Sequence, residues 1–238
     1  MPTADIQTPQ QIRDLFNRIA PHYDRLNQQM SWGLHHVWKG MAVRWARPKR
    51  GSHALDVCCG SGDLALQLAR KVGRSGQVYG IDFSEDLLRI AQQRSNYFFP
   101  HYPITWVCGD ALSLPFPEET FSSVTMGYGL RNVTDIPQAL SEIYRVLQKG
   151  SWAAILDFHR PQQAAVQQFQ KFYLDQVVMT AARQSGVEND YAYIHPSLDH
   201  FPTGNEQIRL AEATGFSQVR FYPIAWGLMG ILVIQKPS

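Results

Sequence analysis

Asp56-Val57-Cys58-Cys59-Gly60-Ser61-Gly62 is the stretch on which the reading of this chain turns. The apolar run before its glycines, Ala54–Val57, reads as a buried strand, and Leu64, Leu68 and Val72 then recur on one helical face. Glycines at such a junction let the backbone turn sharply and approach a ligand that any Cβ would push away. The helix start adds unpaired N–H groups. Downstream, Val78–Ile81, Ile104–Val107, Ser123–Met126 and Ala153–Phe158 read as further strands, separated by helical patterns. One of those helices has Ser84 as N-cap, acids at Glu85 and Asp86, and Leu87, Leu88 and Ala91 on its inner face. Another carries Leu140, Ile143, Tyr144 and Leu147 at helical spacing, with Pro137 near its start. This alternation predicts a parallel sheet with crossover helices.

Asp82 follows Gly62 by twenty residues and closes the second strand, where a carboxylate can accept both hydroxyls of a ribose. Gly109-Asp110-Ala111 ends the third strand, placed to meet an adenine ring. The expected cofactor-binding set is Asp56, Gly60, Ser61, Gly62, Asp82, Phe83, Asp110, Ala111 and Gly127, all at the carboxyl ends of strands, where α/β sheets bind ligands. A nicotinamide dinucleotide competes, because Gly60-Ser61-Gly62-Asp63-Leu64-Ala65 satisfies G-x-G-x-x-[GA]. Two features favour S-adenosylmethionine. Asp56 suits a cationic methionyl ammonium and would repel a pyrophosphate. The chain also ends in two strands close enough to pair antiparallel, Gln218–Tyr222 and Leu228–Gln235, instead of a second mononucleotide-binding half. The expected fold is α/β, the Rossmann-like seven-stranded sheet of class I S-adenosylmethionine-dependent methyltransferases, with the last strand antiparallel. Cys58 departs from the usual acid-x-G-x-G-x-G loop by replacing its first glycine.

Composition narrows the class. Of 238 residues, 45% are hydrophobic and 18% charged, enough apolar material for a full core, which excludes disorder, collagen and coiled coil. A net charge of +2 argues against a nucleic-acid partner. Cys58, Cys59 and Cys108 are too few and too badly spaced for a disulfide framework or a zinc site, so no metal is expected. The longest apolar run, Ile224 to Ile234, is interrupted by Gly227 and Gly230 and falls short of the ~20 residues of a membrane span. Residues Met1–Asp5 lack a basic segment followed by an apolar one, so no secretory signal is expected. The chain reads as cytoplasmic.

Residues 1–50 read as an N-terminal helical segment, with helices at Ile12–Ala20 and about Ser31–Trp45, ahead of a sheet domain over 51–238. Within that domain the alternation stops over 160–203, which reads as an insertion. Phe169, Phe172, Tyr173, Val177 and Val178 form a helical stripe there, either core or the wall of a groove. A last helix, Glu206–Ala213, ends at Gly215.

Three stretches are more specific than the fold. The segment Tyr23-Asp24-Arg25-Leu26-Asn27-Gln28-Gln29-Met30-Ser31-Trp32-Gly33-Leu34-His35-His36-Val37-Trp38 resembles the Y-D-x-M-N-x-x-M-S-x-G-x-H-x-x-W signature of the ubiquinone/menaquinone biosynthesis C-methyltransferases, with Leu26 its one departure. Gly129-Leu130-Arg131-Asn132-Val133 matches that family's G-L-R-N-V loop, and Arg145-Val146-Leu147-Gln148-Lys149-Gly150 is a degraded copy of its R-V-L-K-P-G-G turn. The resemblance runs from about Ile12 to the C-terminus. Two stretches point to the phylloquinone branch of oxygenic phototrophs: Ile155-Leu156-Asp157-Phe158-His159-Arg160, and Tyr193-Ile194-His195-Pro196-Ser197-Leu198-Asp199 with Phe201-Pro202-Thr203-Gly204.

The resemblance implies S-adenosylmethionine as methyl donor and a membrane-resident prenylated naphthoquinol, 2-phytyl-1,4-naphthoquinol, as acceptor. The reduced ring is required because a quinone is electrophilic, whereas a deprotonated quinol oxygen pushes charge onto the adjacent carbon. It also implies catalytic roles for Arg131, Asn132, His159 and Tyr23, and a substrate site of Tyr23, Met30, His35, Trp38, Tyr128 and Arg131. Arginine is not a base near neutral pH, so Arg131 would hold the quinol oxyanion or orient a water, unless it merely pairs with a structural carboxylate. His35, His159, Tyr23 and Asp24 are open candidates for the base. The N-terminal segment would close over cofactor and ring as a lid. A helix mixing Trp38, Lys39, Arg44, Trp45, Arg47, Lys49 and Arg50 would either contact a membrane surface through 31–50 or present a solvated basic face. Alternatives are the menaquinone or ubiquinone counterparts, a methyltransferase for another small molecule or RNA, and a nucleotide-binding module without chemistry.

Overall fold

The computed structural model describes residues 8–191 and 194–238; Tyr193, which opens one branch-specific stretch, lies outside them. Strands β1 (His53–Val57), β2 (Gln77–Asp82), β3 (Ile104–Cys108), β4 (Phe121–Gly127), β5 (Leu147–Phe158), β6 (Ser217–Ile224) and β7 (Met229–Gln235) form one sheet in the order β3-β2-β1-β4-β5-β7-β6. The first five are parallel, while β7 runs antiparallel to both β5 and β6. The expected sheet is therefore present. The strand order reverses between β1 and β4, and the carboxyl ends of β1, β2 and β4 open there on a common crevice.

Two apolar cores flank the sheet. Helices α3 (Leu34–Trp45) and α4 (Asp63–Val72) bury Ala42, Val43, Leu64, Leu68 and Val72 against one face. On the other face α6 (Ile136–Val146) and α11 (Gly204–Thr214) bury Leu140, Ile143 and Ala211 around Phe121 and Met126. Their boundaries follow the cap chemistry. Asp135 accepts the N–H of Gln138 at 2.9 Å, Thr203 and Glu206 form a reciprocal capping box, and Gly215 closes α11 at φ 105°. Helix α5 (Glu85–Phe98) starts on the expected Ser84 cap, whose Oγ accepts the N–H of Leu87.

A third core lies over the strand ends. Leu15 and Ile19 of α1 (Pro9–Ile19) and Leu26 of α2 (Tyr23–Ser31) pack with Leu174, Val178, Ala182, Tyr191 and Ile194. Those residues belong to the insertion, which comprises α7 (Ala164–Tyr173), a π-helical turn (Leu174–Val178), α8 (Met179–Gln184), α9 (Glu188–Tyr191) and α10 (Ile194–His200). The N-terminal segment has three helices where periodicity predicted two. Helix α1 starts earlier than expected because Thr8 and Gln11 form a capping box. Helix α2 ends at Trp32 and Gly33, both left-handed at φ 48° and 79°, so the helix expected from Ser31 begins instead at Leu34.

Candidate active site

The loop after β1 carries positive φ at Cys58 (52°), Gly60 (54°) and Gly62 (90°). Its supports sit behind it. Asp56 is fully buried and accepts the N–H of Ala65 and the hydroxyl of Thr125, each at 2.9 Å. Burial pushes that carboxyl up to about 7. Both Asp56 oxygens are engaged by α4 and β4, and Asp56 lines neither cavity of the site, so the structure places it behind the loop and not in the cleft where a ligand ammonium was expected to meet it. Ser61 is likewise turned inward, donating to Asp24 while Arg94 donates to its carbonyl at 2.8 Å and its hydroxyl at 3.0 Å. Gly62 is required by packing, since a Cβ there would come within 2.6 Å of Trp106 Cη2. These three of the nine expected cofactor residues build the loop; the other six line the cleft in front of it.

That cleft has a volume of about 710 Å3 and is lined by Gly60, Asp82, Phe83, Asp110, Ala111 and Gly127. Asp82 Oδ2 accepts the N–H of Gly60 at 2.8 Å and Oδ1 that of Ser84 at 2.9 Å, which ties the carboxylate to both neighbouring loops. Burial raises the Asp82 carboxyl to about 6 against those hydrogen bonds. Phe16 and Tyr23 of the N-terminal helices form the roof, Phe16 lying 6.1 Å from the Phe83 ring. Cys58 fits the first-glycine position because Gly129 opposite has no side chain: a Cβ there would sit 2.5 Å from Cys58 Cβ. Burial pushes the Cys58 thiol well up, so it stays protonated and unreactive.

A second cavity of about 590 Å3 adjoins the first, with Phe16, Tyr23 and Tyr128 in the walls of both. All six residues expected at a substrate site line it: Tyr23, Met30, His35, Trp38, Tyr128 and Arg131. Its other walls are mainly apolar, including Ile19, Phe158, Val178, Ile194 and Met229. Arg131 lies on a 3-10 turn after β4, with its guanidinium 5.0 Å from the Phe158 ring centroid. Its main-chain N–H donates to Asp157 Oδ2 at 3.0 Å, and Nη1 stands 4.0 Å from Oδ1. Burial raises the Asp157 carboxyl and Arg131 opposes that rise. A carboxylate partner therefore exists, yet the guanidinium still lines the chamber. Asn132 lines the first cleft and donates to the Tyr128 carbonyl at 3.0 Å, which fixes the turn.

The base candidates separate by position. His35 is buried in the chamber wall, with Nδ1 2.6 Å from Ser31 Oγ. Burial, reinforced by Lys39, pushes its pKa down to about 4, so the imidazole is neutral near pH 7. Asp24 is engaged by Ser61 and lies 3.3 Å from Arg94. His159 lines neither cavity. One residue past Phe158, strand alternation turns it to the opposite face, where its ring packs 4.8 Å from Phe221. Lys39 is no surface cation either: it is buried, with Nζ 2.7 Å from Asp63 Oδ2. Arg94 Nη2 holds the other oxygen of Asp63 at 2.6 Å. His35, His36 and Asp63 stand close enough to hold a metal, but the two cations already on Asp63 make this a poor cation site.

Sequence reasoning did not name Phe16, Phe158 or Tyr191 as lining residues, nor Asp157 as the partner of Arg131, whereas Tyr173 and Val178 belong to the stripe read as core or groove wall. Asp157 had a usable signal, because it stands next to the carboxyl end of a strand. Tyr191 had none, since its part of the insertion packs into the third core.

The ubiE/COQ5 methyltransferase family matches residues 5–236. The 2-phytyl-1,4-naphtoquinone methyltransferase of Nostoc punctiforme is 54% identical over 226 residues, covering 95% of this chain and 98% of that protein. The chloroplastic 2-phytyl-1,4-beta-naphthoquinone methyltransferase of Arabidopsis thaliana is 45% identical, covering 94% and 87%. Among solved structures, a SAM-dependent methyltransferase from Aquifex aeolicus superposes with a TM-score of 0.61 at 18% identity, covering 82% of this chain and 88% of that one. A phosphoethanolamine N-methyltransferase from Haemonchus contortus, in complex with S-adenosyl-L-methionine, gives 0.63 at 17% identity, covering 95% and 60%. At such identities the structural likeness speaks for the fold alone.

Proposed function

The chain belongs to the ubiE/COQ5 methyltransferase family and is an S-adenosylmethionine-dependent methyltransferase, and we propose that it C-methylates the ring of 2-phytyl-1,4-naphthoquinol, the last step of phylloquinone formation. The observation that carries this reading is the pair of adjoining cavities, one acid-bearing and one largely apolar with a guanidinium in its wall. The names of the relatives, near 50% identity over almost the whole chain, support the naphthoquinol acceptor.

The first cleft fits the cofactor. Asp82 offers a buried carboxylate for ribose hydroxyls, and Ile81, Phe83, Leu87, Ala111 and Leu112 supply apolar walls for an adenine ring. When bound, S-adenosylmethionine supplies an electrophilic methyl group. The residues of this chain then have three tasks. Arg131, held from behind by Asp157, stabilises the negative charge on a quinol oxygen. Tyr23 and Tyr128, common to both cavities, keep the ring beside the cofactor and exclude water. His35, neutral and in contact with Ser31, is placed to handle a proton. The ring carbon would gain the methyl group as the methyl–sulfur bond breaks and the neutral thioether leaves, and it would then give up its proton to His35 or water, so the quinol is regenerated.

The segment before about residue 50 acts as the lid and residues 160–203 as the opposite wall of the chamber, over a methyltransferase domain spanning 51–238. The tail decides where the enzyme works. A phytyl chain of ~20 carbons is worth up to ~16 kcal/mol against water at ~0.8 kcal/mol per CH2, so it stays in lipid. No helix among the described residues is long and apolar enough to cross a membrane; the reading places the enzyme at the membrane surface, reaching the head group from the cytoplasmic phase. Demethylmenaquinol carries the same ring on a different tail and is the nearest alternative acceptor.

The test is an acceptor series of phytylated, polyprenylated and benzoquinol substrates, each reduced and oxidised. Turnover confined to naphthoquinols, and fastest with the phytyl chain, is expected. Equal rates on the oxidised forms would refute the mechanism.

A further inference from the structure

Among the described residues eight large apolar side chains are exposed to solvent, and six of them stand on or beside the segments that wall the chamber. Trp32 and Trp226 are each 81% exposed, Val37 58%, Phe172 61%, Phe169 46% and Leu34 40%. Trp32 adjoins Ser31, Val37 adjoins Trp38, Phe172 adjoins Tyr173, and Trp226 stands three residues before Met229; each of those neighbours lines the chamber. Direct contacts hold the three carrying segments together. Tyr173 Oη donates to the Met30 carbonyl at 2.7 Å, which joins the end of α7 to the end of α2. Gln170 Nε2 donates to the Leu228 carbonyl at 3.4 Å, and a Cβ on Gly227 would lie 3.2 Å from Val166 Cγ1, so α7 also rests on the β6–β7 turn.

The backbone under both tryptophans is unusual. Trp32 has φ 48° and Trp226 φ 54°, and each is flanked by further left-handed residues, Gly33 on one side and Ala225 and Gly227 on the other. A bulky residue in this region is strained, and such strain persists only where the surrounding structure imposes it. Packing gives it no return here, because both side chains stand in solvent.

We propose that Trp32, Leu34, Val37, Phe169, Phe172 and Trp226 form a docking face for a lipid bilayer, around the opening through which the acceptor's tail leaves the chamber. This rests on the prenylated-naphthoquinol reading, since a tail that stays in lipid requires the rim of the chamber to meet the lipid. Tryptophan seeks the boundary between head groups and acyl chains, where its ring is half apolar and its N–H stays wet. The charges agree with an anionic surface. Lys171 lies between Phe169 and Phe172, and Arg44 falls two turns along α3 on the same outer face as Val37, both exposed. The contact expected through 31–50 is thereby moved: α2, α3, α7 and the β6–β7 turn make it together, and Lys39, Trp38 and Trp45 face inward.

The test uses the full chain with vesicles of phosphatidylglycerol and of phosphatidylcholine, comparing it with the double variant W32G/W226G. Glycine suits both left-handed positions, so the fold is retained, and S-adenosylmethionine binding verifies it. Binding to phosphatidylglycerol vesicles should fall roughly tenfold or more in the variant, because both interfacial rings are gone. Turnover of a phytylated acceptor in those vesicles should fall with it, while kcat for a water-soluble short-tail naphthoquinol stays unchanged. F169S/F172S should give the same pattern. No vesicle binding by the wild type at low salt, or equal binding by both variants, would overturn the proposal. So would a concentration-dependent dimer that W32G/W226G abolishes, since the face would then belong to a second copy. If neither protein methylates the short-tail acceptor but vesicle binding still depends on the tryptophans, the docking face stands and the substrate reading fails.

Discussion

Lys39 and Asp63 form a buried ion pair, Nζ to Oδ2 2.7 Å, which fastens the N-terminal helix α3 to the first turn of α4. Arg94 of α5 completes the clamp on the other carboxylate oxygen and reaches Asp24 of α2. The roof of both cavities is thus tied to the glycine loop by charges shielded from water, where partial removal costs more than the intact pair contributes.

Removing the shared carboxylate should be the most damaging single change in this clamp. Asp63→Ala leaves Lys39 buried and should cost about 3–5 kcal/mol in denaturant unfolding, whereas Lys39→Met leaves Asp63 with Arg94 and should cost about 1–3 kcal/mol. Burial alone would raise the Asp63 carboxyl, but Lys39 and Arg94 outweigh it and hold the group well below the usual carboxylate range. Its contribution is therefore present above its ordinary value of 3.8 and is lost as pH falls through the depressed one. In acid titrations D63A should flatten that limb of the stability curve.

Gly62 answers to packing and backbone geometry. Alanine there would adopt φ 90° and press its Cβ to 2.6 Å from Trp106. Left-handed strain of ~1–2 kcal/mol and overpacking of ~1–3 kcal/mol together predict a loss of about 2–5 kcal/mol for Gly62→Ala. A thermal melt would show it, with reduced cofactor affinity following from the distorted loop. An unchanged melting temperature would mean that Trp106 yields freely.

Asp82 makes cofactor binding depend on pH. Its carboxyl is raised to about 6 by burial. Below that value the acid is protonated and loses part of its capacity to accept hydroxyl hydrogens; above it the full carboxylate is available. Calorimetry with S-adenosylmethionine should show affinity weakening as pH falls from 7 to 5, and Asp82→Asn should bind more weakly with that dependence removed. For folding the sign is opposite. A raised carboxyl contributes stability that is complete below its unfolded value of 3.8 and is lost as pH rises through about 6.

The sheet was legible because each parallel strand contains an apolar run with a glycine or an acid at or next to its carboxyl end, a pattern set by local geometry. The wall of the second cavity was legible for a different reason: Met30, His35, Trp38 and Arg131 sit in motifs whose spacing survives without the fold. Asp56 and His159 lie outside both cavities for physical reasons. An acid at a strand end can turn back to cap the following helix, as Asp56 does through Ala65, and sequence cannot show which way it turns. His159 lies one residue beyond Phe158, and that single step reverses its face. Helix α2 escaped the periodicity because it buries only Leu26 and Ser31, too few positions to mark a face, and Trp32 and Gly33 separate it from the helix that follows. The chamber's aromatic walls in the insertion depend on contacts spanning more than a hundred residues, such as Tyr173 with Met30.

Arg131 should separate chemistry from binding. Its guanidinium lines the chamber, its backbone is pinned to Asp157, and the cofactor cleft is built by other residues. Arg131→Ala should lower kcat by about 10²–10³, the usual effect of deleting a charge-stabilising donor, with S-adenosylmethionine affinity within about threefold of wild type. Arg131→Lys keeps the charge but not the planar fork, so it should recover only part of that loss. Asp157→Asn tests the support separately: Arg131 keeps its place in the chamber with weaker anchoring, and a smaller drop in kcat is expected. If Arg131→Ala weakened cofactor binding in proportion to turnover, the residue would be holding the cleft together, and the oxyanion role would have to pass to another donor.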